Sequence, residues 1–380
     1  MKILNLKYLF DGLKNILRQL YVLYSKPINI YANKSSKKRV LVSYIKSPFY
    51  LKNRPIKHAN VIESRVIAEE FFKLGYSVDI VDYRCTRKID YSKYDVIFGF
   101  GHPFKNSFKL DIQIIRICYL TGANPNFSNE KEAMRIRDIY LYSGKLLSPR
   151  RETYWPWMNV VINSEMVILA GNDNTKNTYE GLNKNIKTVP VPMIPSKLKP
   201  NAILGSGFLW FGGAGAVHKG LDLVLDASSE IRDEFSIDIC GPLENEKDFF
   251  KLYESKLDKN NITFHGMIDV ESNEMQNLID KNLFIILPSC SESMASSVTT
   301  CMQFGLIPII SKECGIDLGE HSILIEELTI NEVTRAMKYA LSLNEDELLR
   351  KKELSIKHVN KINTPAKYRE EISEAIRFIL

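Results

Sequence analysis

Residues 211–220, FGGAGAVHKG, and residues 287–315, LPSCSESMASSVTTCMQFGLIPIISKECG, decide the reading of this chain. The first is a glycine-rich turn that ends in Lys219 and opens a helical pattern, LDLVLDA. The second is an apolar strand, a polar loop carrying the carboxylate of Glu292, a short helix of small residues, then Gly305 and another apolar strand. Each stretch places free backbone N–H groups at a helix start, where an anion is stabilised. Two such turns in one domain suit a ligand with a diphosphate and a polyhydroxylated head, and a nucleotide-sugar combines both.

Around these turns, short apolar runs alternate with helical patterns along the whole chain. FLWFGG, FSIDICG, ITFHGMI, NLFIILP, IPIIS and SILIE read as strands, separated by helices near 219–232, 246–257, 271–281, 294–304 and 330–343. The same alternation fills the first half. Strands are expected at 39–45, 76–83, 95–100, 115–120, 161–172 and 185–192, with helices near 60–74 and 129–142. Alternation of this kind implies parallel β-α-β units. The predicted fold class is α/β, with two Rossmann-like, doubly wound domains facing a cleft. Their expected bounds are 38–195 and 200–360, joined near 195–203. Open parallel sheets bind ligands beyond the carboxyl ends of their strands, which places the site in the cleft.

At 380 residues the chain can hold two such cores. A hydrophobic share of 45% with 25% charged residues describes a globular protein, and no apolar run reaches membrane-spanning length. The six cysteines include no C-x-x-C pair, so they read as reduced core residues of a cytoplasmic protein, with no metal site. Residues 1–57 hold thirteen Lys and Arg against one acid, a net +12, so the rest of the chain carries −6. The basic character is local to the start, which argues against a nucleic-acid surface. Ile3, Leu6, Phe10, Leu13, Leu17, Leu20 and Tyr24 recur at helical spacing opposite Lys2, Lys7, Lys14 and Arg18. Residues 1–25 thus read either as a helix bound at an anionic membrane surface or as one covering the protein's own core. In the first case each cation near the leaflet contributes about 1 kcal/mol. Residues 26–37 read as a linker, and 361–380 as a helix packing back on the N-terminal domain.

Individual residues fit the ligand. Lys219 can reach a diphosphate, while Gly212 and Gly213 let the backbone approach it without a Cβ clash; the alternative is a tight turn with a solvated lysine. Glu292 can accept bonds from sugar hydroxyls and offset positive charge at an anomeric carbon, or simply complement a helix start. His102, in GFGHP after one strand, and His58, Glu63, Asn124 and Asn126 after others, stand at strand carboxyl ends on the acceptor side of the cleft. Tyr154-Trp-Pro-Trp157 reads as packing rather than a sugar platform.

The order of these features resembles the retaining glycosyltransferases of family 4, among the group 1 glycosyltransferases, which have the GT-B fold. It rests on Lys219-Gly220, FHGM at 264–267, LPS at 287–289, the Glu292 loop and GLIPIIS at 305–311, and covers roughly 200–345 well. The resemblance implies that Lys219 contacts the donor diphosphate, that Glu292 lies near the donor sugar, and that Met267 contacts the base. It further implies that the amides of Ser293, Met294, Ala295 and Ser296 hold sugar and phosphate, and that a histidine such as His102 lies in the cleft. The family often has an arginine where Gly213 stands, a loss of one charge-assisted bond of about 1.5–3 kcal/mol. It has a ribose-binding glutamate where Thr300 stands. The implied activity is metal-independent transfer, with no cofactor, of a sugar from a nucleotide-diphosphate donor to a glycan or lipid-linked acceptor in bacterial surface-polysaccharide synthesis, in the cytoplasm or peripherally on the inner membrane face. Gly213 and Thr300 keep open a catalytically inactive partner or glycan-binding subunit, and the fold also admits a nucleotide-sugar epimerase.

Overall fold

A computed structural model of the chain describes residues 22–50, 58–155, 157–200, 204–232 and 234–380. The expected amphipathic helix lies outside these residues except at its end, where 22–24 are helical. Among the described residues, thirteen strands form two sheets. The N-terminal sheet contains β1 (Ile28–Tyr31), β2 (Arg39–Tyr44), β3 (Ser77–Asp82), β4 (Val96–Gly99), β5 (Ile115–Leu120), β6 (Met166–Ala170) and β7 (Ile186–Val189), in the order β1-β3-β2-β4-β5-β6-β7. All its pairs are parallel except β1 with β3. The C-terminal sheet contains β8 (Gly207–Phe211), β9 (Ile237–Cys240), β10 (Ile262–Gly266), β11 (Asn282–Leu287), β12 (Ile307–Ser311) and β13 (Ile323–Ile325), in the order β10-β9-β8-β11-β12-β13, parallel throughout.

Helices cover both faces of these sheets, which is why central strands such as MVILA and NLFIIL are apolar without alternation and buried at every residue. The antiparallel strand β1 falls in the segment 26–37 that reads as a linker. Its four residues, INIY, are partly exposed at a sheet edge, and their alternation is too short to separate strand from coil.

Both sheets reverse their strand order once, between β2 and β4 and between β8 and β11. The loops that leave such neighbouring strands diverge to opposite faces and open a crevice between them. The loops after β8 and β11 are FGGAGAVHKG and PSCSESMA, so the topology alone sets Lys219 beside Glu292.

The domains are tied directly to each other. Arg135, on the helix Pro125–Ser143, pairs with Asp222 at the start of the helix Leu221–Ala227, both nearly fully buried. Tyr142 donates to Asp226 at 3.0 Å, and Asn172 donates to Asp317 at 2.8 Å. The chain then crosses back. The helix Glu345–Ile362 begins with a capping box between Asn344 and Glu347 and packs on the C-terminal domain. The helix Pro365–Ile379 lies on the helix Ala59–Lys73 of the N-terminal domain. Arg369 pairs there with Glu69 at 2.6 Å and Glu70 at 2.7 Å. Tyr368 is fully buried and shares a hydrogen bond of 3.1 Å with Tyr119 of β5.

Candidate active site between the domains

The crevice holds a cavity of about 500 Å³ lined from both domains. The C-terminal side contributes Gly213, His218, Lys219 and residues 291–297. Two contacts fix the glycine turn. Trp210, fully buried in β8, donates its Nε1–H to the Lys219 carbonyl at 3.2 Å. Gly220 has φ +68, and a Cβ there would lie 2.2 Å from the Pro288 carbonyl oxygen, so the turn and the end of β11 interlock only with glycine at this place.

Lys219 Nζ pairs with Glu292 Oε1, with side-chain exposures of 9% and 10%. Ser289 adds a hydrogen bond to the same oxygen at 3.2 Å. Burial alone would raise the Glu292 pKa. The charges of Lys219 and then Arg151 outweigh it and bring the pKa down to about 2. His218 is 2% exposed, and its Nε2 meets the Ser291 carbonyl. A carbonyl only accepts, so Nε2 carries the proton and Nδ1 is an acceptor, buried and without a hydrogen-bond partner among the described residues. Burial, reinforced by Arg151 and Lys219 against the pull of Glu292, brings the His218 pKa down to about 4, so the ring is neutral.

The N-terminal wall carries Tyr44, His58, Asn60, Glu63, Phe100, Tyr119, Arg151, Trp155 and Trp157. Glu63 is buried and accepts from Tyr44 Oη at 2.6 Å. Burial raises its pKa in spite of that bond. His58 caps the helix Ala59–Lys73 by accepting from the Asn60 amide at 3.3 Å. Its ring reaches solvent, yet the surrounding protein is dense enough to lower its pKa, with Arg151 adding to the effect. A second hollow of about 330 Å³ is also lined by Glu292, together with Lys312 and Glu313.

Of the residues singled out in the sequence, His58, Glu63, Gly213, Lys219, Glu292, Ser293, Met294, Ala295 and Ser296 line the cavity. The others lie elsewhere. His102 is exposed on the first turn of the helix Gly101–Ser107, where its amide donates to the Tyr83 carbonyl at 2.8 Å; Phe100, two residues earlier, takes the place in the cavity wall. Gly212 packs on the Trp210 indole, where a Cβ would come within 2.4 Å. Met267 is 72% exposed outside the cavity. Thr300 is buried and donates its hydroxyl to the Ser296 carbonyl at 2.7 Å, inside its own helix. Asn124 caps the helix Pro125–Ser143 and donates to Thr178, and Asn126 is exposed in its first turn.

The four consecutive amides also divide in role. Ala295 N–H is taken by the Cys314 carbonyl at 2.8 Å, and the Ser293 hydroxyl donates to the Ala170 carbonyl of the N-terminal domain. Ser296 opens the helix Ser296–Met302, where the first amides have no intrahelical acceptor. Arg151, Tyr44 and Tyr119 are cavity residues that no spacing in the sequence marks. Trp157 is 5% exposed in the N-terminal core, as the packing reading expects, and both Trp155 and Trp157 also line the cavity. The six cysteines are free and buried. Among the described residues no helix is long and apolar enough to cross a membrane, and no cluster of His, Cys, Asp and Glu could hold a metal ion.

Comparison with known proteins relates part of the chain to a family and the whole to a fold. Residues 206–342 match the model for glycosyl transferases group 1. No curated protein sequence matches the chain. Among solved structures, the fold is similar to sucrose-phosphate synthase from Thermosynechococcus elongatus, with a TM-score of 0.64 and 12% identity over 90% of this chain and 99% of that one. It is also similar to HepE from Anabaena, solved with UDP-glucose, with a TM-score of 0.61 and 11% identity over 90% and 99% of the two chains. A glycosyltransferase from Rickettsia africae gives 0.60, 11%, 90% and 99% in the same terms. Residues 206–342 therefore form a group 1 glycosyltransferase domain, set within a chain that has the two-domain GT-B fold of glycosyltransferases.

Proposed function

We propose that the protein transfers a sugar, with retention of anomeric configuration and without a metal, from a nucleoside-diphosphate donor to a glycan or lipid-linked acceptor. The observation that carries this reading is the Lys219–Glu292 pair, set at the crevice between β8 and β11 and open to a cavity of about 500 Å³. Lys219 faces the diphosphate, and Glu292, ionised at any physiological pH, faces the positive charge that develops at the anomeric carbon. His218 Nδ1, a buried acceptor in need of a donor, suits a sugar hydroxyl. In the reaction the bond from the anomeric carbon to the phosphate oxygen breaks and a bond to the acceptor oxygen forms on the same face. The acceptor proton passes to the departing phosphate oxygen, so no side-chain base is required.

The acceptor enters against the N-terminal wall, where Glu63, Asn60 and His58 offer polar contacts and the two indoles offer flat faces. Bacterial surface-polysaccharide assembly at the cytoplasmic membrane face suits such an acceptor, with the basic residues 1–25 held at the anionic surface. A second reading, a glycan-binding subunit without catalysis, is favoured by Thr300, whose hydroxyl is committed to its own helix and leaves that position without a ribose clamp. One experiment separates the two. A panel of nucleotide-sugars is screened by thermal shift, and release of nucleoside diphosphate is then measured for the wild type and E292A. Turnover abolished in E292A supports the transferase; donor binding with no turnover in the wild type, with or without acceptor extracts, refutes it.

A further inference from the structure

The charges around the cavity do not balance for an anionic donor, and the exception among them identifies a binding residue. Two carboxyl groups, Glu63 and Glu292, and two cations, Lys219 and Arg151, line it. Lys219 is already paired with Glu292. His58 and His218 are both shifted toward their neutral forms. Arg151 is different. Its backbone N–H donates to Glu132 at 3.1 Å, while its guanidinium, exposed at the cavity rim, has no ion pair or hydrogen bond among the described residues. Its charge nevertheless acts on Glu292, His218 and His58, which places it within electrostatic reach of the whole site.

The position of Arg151 is built by both domains. The buried carboxylate of Glu132 accepts the amides of Arg150, at 2.9 Å, and Arg151. Arg150 pairs with Asp248 of the C-terminal domain, and Asp248 also accepts the Ser148 amide at 2.8 Å. Residues 148–151 are thereby pinned from two sides. From this anchor the stem of Arg151 runs over the glycine turn: a Cβ on Gly215 would lie 2.8 Å from its Cγ and 3.3 Å from its Cδ. Gly213, in the same turn, lines the cavity and would have nothing within 4 Å of a Cβ. The turn leaves room for a charge that it does not itself provide.

We propose that Arg151 is the second cation of the diphosphate site, delivered from the N-terminal domain across the cleft to the space over Gly213. This rests on the donor reading above. A nucleoside-diphosphate sugar presents an anionic pyrophosphate that one ammonium, shared with a carboxylate, does not neutralise. Guanidinium suits the task because its planar fork matches phosphate oxygens. Because Lys219 and Arg151 come from different domains, the bound diphosphate is itself an interdomain bridge, so donor affinity and cleft closure are one equilibrium.

The test is isothermal titration of the full chain with UDP, GDP and inorganic pyrophosphate, using the wild type, R151A and R151A/G213R. R151A should weaken binding of the diphosphate the wild type prefers by about tenfold to a hundredfold, the range of one charge-assisted hydrogen bond. Its thermal midpoint should change little, since the side chain is exposed and Lys219 remains the larger of the two charges that hold Glu292. G213R, with open space around it, should restore most of the affinity in the R151A background. Equal affinities of R151A and wild type would overturn the inference while leaving the donor reading intact. So would a loss in R151A that also lowers the thermal midpoint and that G213R does not repair. If the wild type binds none of the three probes, the donor reading fails and this inference with it.

Discussion

Lys219 and Glu292 permit a quantitative test of the site as a physical unit. Each is about nine-tenths buried, and the fall of the Glu292 pKa from 4.5 to about 2 measures how strongly its charged form is held. That shift corresponds to about 3 kcal/mol. An independent expectation agrees: removing one partner of a buried pair costs about 3–5 kcal/mol because the other charge is left uncompensated, whereas removing both is often nearly neutral. K219M and E292Q should therefore each lose about 3 kcal/mol, and K219M/E292Q should recover most of it, a coupling of about 2–3 kcal/mol. Urea titration at pH 7 reads these values through tryptophan fluorescence, with Trp210 bonded directly to the Lys219 carbonyl. All three variants should lose nucleotide binding, including the one whose stability returns. The sign with pH is also determined. A depressed carboxylate pKa contributes stability above 4.5 that disappears as pH falls toward 2, so the difference between wild type and E292Q should shrink over that window. Losses that simply add, with coupling below about 0.5 kcal/mol, would show that the two charges are solvated separately and would refute the reasoning.

Two further perturbations probe the same loops. His218 titrates near 4 in the folded chain against 6.5 unfolded, so the unfolded chain binds more protons between those values and stability falls as the solution is acidified through them. H218Q should remove about 3 kcal/mol of that acid sensitivity in urea titrations at pH 4 and pH 7; an unchanged pH slope would sink the assignment. G220A places a methyl group 2.2 Å from the Pro288 oxygen at φ +68, and the thermal midpoint should drop by the equivalent of about 2–3 kcal/mol, with nucleotide affinity reduced. A midpoint equal to wild type would mean that the interlock of the two loops is not a constraint.

The parts of the site legible in the sequence are those written by local chemistry. A glycine turn between a strand and a helix, and a lone carboxylate between the next strand and helix of the switch, depend on neighbours in the chain, and these gave Lys219 and Glu292. The alternation of apolar runs likewise gave the parallel strands of both sheets, though not the antiparallel β1. Residues defined by tertiary approach were not legible. Arg151 lies sixty-eight residues before Lys219, and its stem comes over the glycine turn because Glu132, and Asp248 through Arg150, hold its segment there. Tyr44 and Tyr119 read as strand interior, and only the assembled sheet shows their ring ends facing Glu63 and the cavity. His102 misled for a related reason. The turn of chain between β4 and the next helix rotates Phe100 inward, and the histidine two residues on faces water. Thr300 stands where the family has its ribose-binding glutamate, and a threonine inside a helix satisfies its hydroxyl most readily on the carbonyl four residues back.

The crossing of the helix Pro365–Ile379 onto the first domain has a consequence for biosynthesis. Its buried aromatic and apolar side chains, Tyr368, Ile372 and Ile376, complete the flank of a sheet whose own strands end at residue 189. During translation that flank stays uncovered while the entire second lobe is made, so the nascent chain carries an open greasy seam until residue 379 has left the ribosome. A stop codon ahead of Tyr368 would leave that flank open in the released chain, an aggregation hazard set by the order in which the fold is written.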